Sequence, residues 1–308
     1  MPHPKLRIVS LIPSATEIVA ALGLEDALVG RSHECDYPAT VRALPICTAP
    51  NLDPQGTSRE IHDRVEDLLQ SVLSIYRIDL EALERLRPTH ILTQAQCEVC
   101  AVSLSDVETA VAQLTRCSAQ IISLQPSTLE EVWADIRRVG DAVGAESDAA
   151  IAALRQRVAT VQQQVRAFPH RPRVASIEWT DPLMAAGNWV PELIALAGGE
   201  NLFGSVGKHS PWMEWDELLQ ADPDLLAVMP CGFDLEQTRR AAIADLAQNP
   251  HWQTLKAVRQ GQVYLTDGNQ YFNRPGPRLV DSLEILAEIF HPELNYGYEH
   301  RGWARLYV

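Results

Sequence analysis

The sequence predicts an α/β fold of two Rossmann-like lobes with parallel sheets, joined by one long connecting α-helix. Three observations predict it. Apolar, β-branched runs alternate with helical patterns in both halves of the chain, and such alternation builds parallel sheets. Midway, in residues 147–168, Ile151, Leu154, Val158, Val161, Val165 and Phe168 recur at steps of three and four, the signature of one helical face. A helix–proline–strand unit also occurs twice. Residues 81–88 before a buried run resemble residues 216–223 before another, each with an acid seven residues ahead of its proline. The halves read as two copies of one design.

The elements follow in order. Residues 6–11 form a buried strand. Ser14 and Glu17 have capping-box spacing, so a helix is expected from there to about residue 22. Residues 27–30 form a second strand, and the Pro-, Asn- and Gly-rich stretch 45–58 an irregular loop. Helices follow at 58–74 and 79–86, a strand at 88–94, a helix at 104–114 and a strand at 119–124. Ser127 and Glu130 repeat the capping-box spacing before a helix to about 143. The central helix ends at Pro169 and Pro172, because proline lacks the amide donor and clashes with the preceding turn. The second half predicts strands at 173–179, 224–230 and 262–266. Its helices are expected at 190–197, 215–221, 237–247 and 278–290, with Gly198-Gly199 as a helix stop. The domains are residues 1–126, a helical connector 127–168, residues 169–290 and a tail 291–308.

The 308 residues suffice for two cores. A net charge of −14 with no basic patch argues against a nucleic-acid surface, and no apolar run is long enough to span a membrane. The start of the chain places basic residues before a short apolar run, but the run breaks at Pro13 and continues as an amphipathic helix. It is read as the first strand and helix, without an export signal, so the sequence as given implies a cytoplasmic protein. Six cysteines in such a chain do not make a disulfide framework. Cys47 and Cys117 read as small core residues.

The chain resembles the class III periplasmic substrate-binding proteins, in particular their vitamin B12-binding branch. The resemblance rests on residues 8–17 with residues 23–30, on Asp36, Tyr37 and Pro38, and on Leu80, Glu81 and Pro88. In the second half it rests on residues 198–202, Pro211, Trp212 and residues 222–225. It covers roughly residues 6–290. It implies two rigid lobes held apart by the central helix, a shallow cleft, little closure on binding, and a monomer. It also implies an acid on each lobe that docks onto an ABC transporter permease, here Glu81 and Asp216, with Glu217 an alternative to the latter. That role would make the protein periplasmic. The branch points to a corrinoid, while the wider superfamily also binds iron-siderophores and haem.

Ligands of such folds bind at the carboxyl ends of the strands, and the loops there are rich in chemistry. Ser14 follows the first strand; His33, Glu34 and Cys35 follow the second; Cys97 and Cys100 follow the strand at 88–94; Cys231 ends a strand of the other half. Thiolates and imidazole suit zinc, iron or cobalt. The CxxC pair could reach one ion, with His33 or Cys35 completing a tetrahedral set, or could be two reduced thiols in a loop turn. Trp179, Trp189, Trp212, Phe233 and Phe272 lie at strand-end loops, as expected for a large planar or macrocyclic ligand. Arg274 could meet an acidic ligand group or cap a helix. No nucleophile–base pair stands out, so a non-enzymatic binder needing no cofactor is the leading reading. The alternative is a cytoplasmic metalloprotein or enzyme using His33, Cys35, Cys97 and Cys100 to hold zinc or iron.

Overall fold

The computed structural model describes residues 5–71, 74–94, 104–113 and 119–307. The chain divides into two compact units. The first comprises residues 1–56, 63–126 and 130–152; the second comprises 57–62, 127–129 and 153–308.

The first unit is built on β1 (Ile8–Ser10), α1 (Pro13–Ala21), β2 (Leu28–Arg31), β3 (Thr48–Pro50), α2 (Ser58–Gln70), β4 (Tyr76–Ile78), α3 (Leu80–Leu86), β5 (His90–Gln94), α4 (Leu104–Gln113), β6 (Gln120–Leu124) and α5 (Leu129–Val143). Its main sheet has the order β2-β1-β5-β6, with every pairing parallel. Val9, Leu11, Leu83, Leu86, Ile91 and Val107 share one core with Cys47. Burial pushes the Cys47 thiol up to about 11, so it stays protonated and inert, as a core cysteine should. The boundary between the units falls inside α6 (Asp148–Val165). At about 1.5 Å per residue this helix is roughly 27 Å long. Ile151, Leu154, Val161 and Val165 are buried, while Gln156, Gln162, Gln163 and Gln164 are exposed, which is the face the periodicity predicts.

The second unit contains β7 (Arg173–Thr180), β8 (Leu183–Ala185), α7 (Val190–Leu196), β9 (Glu200–Asn201), α8 (Trp215–Ala221), β10 (Leu225–Val228), α9 (Leu235–Ala241), α10 (Lys256–Arg259), β11 (Val263–Thr266), α11 (Leu279–Phe290) and β12 (Trp303–Arg305). The sheet order is β12-β11-β10-β7-β8, with β9 also on β7. The centre is parallel, while β8 and β12 close the edges antiparallel. Among the described residues, no helix is long and apolar enough to cross a membrane.

The repeated unit is visible in the backbone. Helices α3 and α8 each have seven residues and end on a left-handed, non-glycine residue, Arg87 at φ 45° and Asp222 at φ 39°. Each is followed by a proline and then a parallel strand. Other features depart from expectation. Helix α1 has Pro13 in its first turn, and Ile12 at the N-cap makes no side-chain cap, so the Ser14–Glu17 spacing does not act as a capping box. A proline supplies the fixed φ and loses no needed donor at a helix start. The 45–58 stretch contains β3, paired antiparallel with β4. The segment ending the chain is not loose: β12 joins the sheet beside β11.

Candidate functional site

The carboxyl ends of β1 and β2 place Ser14, His33 and Glu34 on one edge of the first sheet. Arg31, itself buried, organises this edge. Its Nη1 donates to the carbonyls of Ser32 at 3.0 Å and Cys35 at 3.1 Å, and its Nη2 to that of Arg42 at 3.2 Å. One guanidinium thus fixes the loop, using the planar fork that lysine lacks. Ser14 is enclosed, at 1% exposure, in the first turn of α1.

His33 stands on this edge with its ring oriented from behind. Thr48 Oγ1 lies 2.8 Å from Nδ1 and accepts from the His33 backbone N–H at 3.1 Å. The same hydroxyl donates to Ser32 Oγ at 3.1 Å. Tyr76 packs against the ring with centroids 5.5 Å apart. Burial, reinforced by the positive charge of Arg31, holds the imidazole below its usual range. Nε2 approaches Glu34 Oε1 only to 3.9 Å. Cys35 is turned away: its side chain is buried and its Sγ accepts from Thr16 Oγ1 at 3.0 Å. Cys97, Cys100 and Cys117 lie outside the described residues, within which no cluster of three or more metal-ligating side chains forms.

In the second unit the aromatics separate by exposure. Trp212 is 58% exposed, although its backbone is fixed by a bridge to Met184 and its ring meets His62 edge-on at 5.4 Å. Trp179, at the end of β7, is half-buried. It donates through Nε1 to the Asp181 carbonyl at 3.1 Å and packs on Phe233 at 5.3 Å. Phe233 is buried at 8% exposure and Trp189 at 6%, the latter donating through Nε1 to the Phe272 carbonyl at 2.8 Å. The expectation of an open Phe272 face is corrected. The π-turn Gly268–Phe272 folds that ring inward to 0% exposure. Arg274 is buried too and donates to Asn269 Oδ1 at 3.0 Å.

Ser58, Thr180, Ser210 and Gly187 were not found by sequence reasoning, which saw the carboxylates of Glu178 and Asp181 near a strand end but inferred no role for them. Residues 57–62 group with the second unit, where Ser58 and Thr180 share a hydroxyl contact at 2.7 Å, Thr180 donates to Asp245 at 2.6 Å, and Arg59 pairs with Asp181. Burial raises the Glu178 carboxyl above its usual range, opposed by the Ser210 hydroxyl and the Gly187 amide. Gly187 is required by space: a Cβ there would meet the Lys208 carbonyl and the Ser210 nitrogen at 2.6 Å each.

Glu81 and Asp216 lie exposed in the first turns of α3 and α8. Glu217 is used within its own helix, its carboxylate accepting the Glu214 N–H at 2.9 Å in a capping box. Among the described residues, Asp216 takes no part in that capping box. A shallow surface depression beside Glu81 is lined by Arg7, Glu84, Arg85 and Arg87.

Comparison with known proteins places these features in context. The periplasmic binding protein family model matches residues 8–270. The vitamin B12-binding protein of Vibrio cholerae serotype O1 is 27% identical over 290 residues, covering 93% of this chain and 89% of that protein. An uncharacterized ABC transporter substrate-binding lipoprotein of Bacillus subtilis, YvrC, is 23% identical over 301 residues, covering 94% of this chain and 81% of that protein. Among solved structures, the periplasmic vitamin B12-binding protein BtuF of Vibrio cholerae superposes with a TM-score of 0.64 at 24% identity, over 96% of this chain and 100% of that one. It shares the fold.

Proposed function

Since the chain belongs to the periplasmic binding protein family, we propose that it is a non-catalytic substrate-binding protein for a corrinoid of the vitamin B12 type, serving an ABC transporter. The observation that carries this reading is the end-to-end match to a vitamin B12-binding protein, 93% of this chain against 89% of that one. The strand-end loops supply suitable chemistry. Trp212 and Trp179 offer indole surface to a broad ring, and covering one such face contributes about 2 kcal/mol. Taken by itself, the first unit carries polar side chains, His33 and Glu34, in the loop after β2. No covalent step is needed, because release to a transporter asks only for affinity that can be reversed.

The transporter partner is supported by the substrate-binding lipoprotein among the relatives, with Glu81 and Asp216 as docking acids. Calorimetric titration with cyanocobalamin, cobinamide and haem, beside metal analysis of the purified protein, tests the reading. Saturable corrinoid binding at one site is the expected result. Haem binding without corrinoid binding would reassign the ligand, and stoichiometric zinc or iron without tetrapyrrole affinity would overturn the binder altogether.

A further inference from the structure

We propose that His33 supplies, through Nε2, an axial ligand to the cobalt of a bound corrinoid whose axial position holds exchangeable water. This rests on the corrinoid reading above and adds a bond to it.

The tautomer is set by the hydroxyl chain behind the ring. Thr48 donates its only hydroxyl proton to Ser32 Oγ, so toward His33 it accepts. Nδ1, 2.8 Å away, therefore carries the ring proton, and Nε2 is left with its lone pair. This is the arrangement by which an outer hydrogen bond orients a metal-binding histidine. The lone pair has no competing donor among the described residues. Glu34 Oε1, 3.9 Å away, is itself an acceptor.

The ring is held on both sides of its attachment. Its backbone N–H is tied to Thr48 at 3.1 Å and its face lies against Tyr76. Yet 23% of the side chain remains exposed, enough for one edge to be approached. Imidazole nitrogen suits cobalt and iron alike.

The exchange is balanced without any co-reactant. The cobalt–water bond breaks, water leaves to solvent and the cobalt–Nε2 bond forms. No proton moves and the oxidation state of cobalt is unchanged. Cyanide holds cobalt far more strongly than water does, so cyanocobalamin reports corrinoid binding without the exchange.

The test titrates aquocobalamin and cyanocobalamin into wild type, His33→Ala and His33→Gln, following heat and the visible absorption bands. Melting curves verify that both variants are folded. The expected result is a band shift on aquocobalamin binding in the wild type only. The variants should also lose about tenfold more affinity for aquocobalamin than for cyanocobalamin, a difference of about 1.4 kcal/mol. A shift that persists in both variants, or equal losses for the two corrinoids, overturns axial ligation while leaving corrinoid binding intact. Absence of cyanocobalamin binding in the wild type removes the corrinoid reading and this bond with it, so the two failures are distinct.

Discussion

Arg157 on α6 grips Glu284 on α11 with two parallel bonds, Nε to Oε1 at 2.9 Å and Nη2 to Oε2 at 2.6 Å. The same Nη2 reaches Asp281 at 2.5 Å. Glu284 also accepts from the Tyr298 hydroxyl at 2.9 Å, and Glu288 from the Tyr298 N–H at 3.0 Å. One cation therefore offsets two acids, and one of them, Glu284, together with Glu288 ties down the segment that leads into β12. Burial and the surrounding acids push the Tyr298 phenol above its usual range, so it remains a donor.

Removing Arg157 leaves the half-buried Asp281 and the buried Glu284 without their shared cation, the costly way to break such a cluster. The Arg157 side chain is 39% exposed, so solvent screening trims the effect to about 2 kcal/mol. Arg157→Ala should lower the urea midpoint accordingly. Arg157→Lys should recover less than half, because an ammonium cannot reproduce the fork. Equal midpoints for wild type and Arg157→Ala would show the network to be inert.

The architecture was legible where local rules are strong. The face of α6 follows from its period. The twin units ending at Arg87 and Asp222 were announced by their shared acid and proline, although nothing local reveals that both residues are left-handed. What stayed hidden depends on pairing across the chain. β3 and β4 are three residues each and find one another across 25 residues, and β12 reaches back to β11. The site shows the same division. Strand-end position singled out His33, Trp212 and Phe272 alike. Only the fold shows that Thr48 orients that histidine, or that Phe272 is enclosed while Trp212 is open. Gly187 looks like any glycine until the carbonyl of Lys208 is seen against it.

Trp212 presents a large indole to solvent with its backbone anchored, so its loss should separate binding from stability. Trp212→Ala is expected to leave the melting temperature within a degree or two, since an exposed side chain contributes little to folding. It should weaken corrinoid binding by about ten- to thirtyfold, the equivalent of about 1.4–2 kcal/mol. Calorimetry and thermal melting on the same preparation measure both. An affinity equal to wild type would remove Trp212 from the ligand surface.

Asp135 on α5 is 2% exposed. Its Oδ1 meets Arg138 at 2.5 Å, while its Oδ2 is buried without a hydrogen-bond partner among the described residues. Burial, only partly countered by Arg138 and by a backbone hydrogen bond from Gln125, raises this carboxyl from 3.8 to about 6. The folded protein therefore holds the proton more tightly than the unfolded chain. The resulting stabilisation is full below pH of about 4 and is lost as pH rises through about 6. Two units correspond to up to about 3 kcal/mol. Asp135→Asn should escape this loss, so its stability relative to wild type should climb between pH 4 and 6 and then level off. Urea unfolding across pH 4–8 measures it, and a difference independent of pH would contradict the assignment.

Glu81 and Asp216 sit at equivalent places in the two repeated units, in first turns where the helix dipole favours an acid. A structural role and a docking role make different predictions. If the acids only complement helix dipoles, each substitution shaves stability and nothing else. If they meet cations of a transporter permease, Glu81→Ala and Asp216→Ala should each weaken association with the cognate importer by about tenfold, since truncating one partner of a docked charge pair typically costs at least about 1.4 kcal/mol. Ligand affinity should be unchanged, and raising salt should narrow the gap between wild type and variant. Glu217→Ala supplies the contrast: it breaks the capping box with Glu214 and so should cost stability without altering association. Surface plasmon resonance against the importer in nanodiscs reads all three variants. Association unchanged in both acid variants would leave Glu81 and Asp216 as helix-start charges and nothing more.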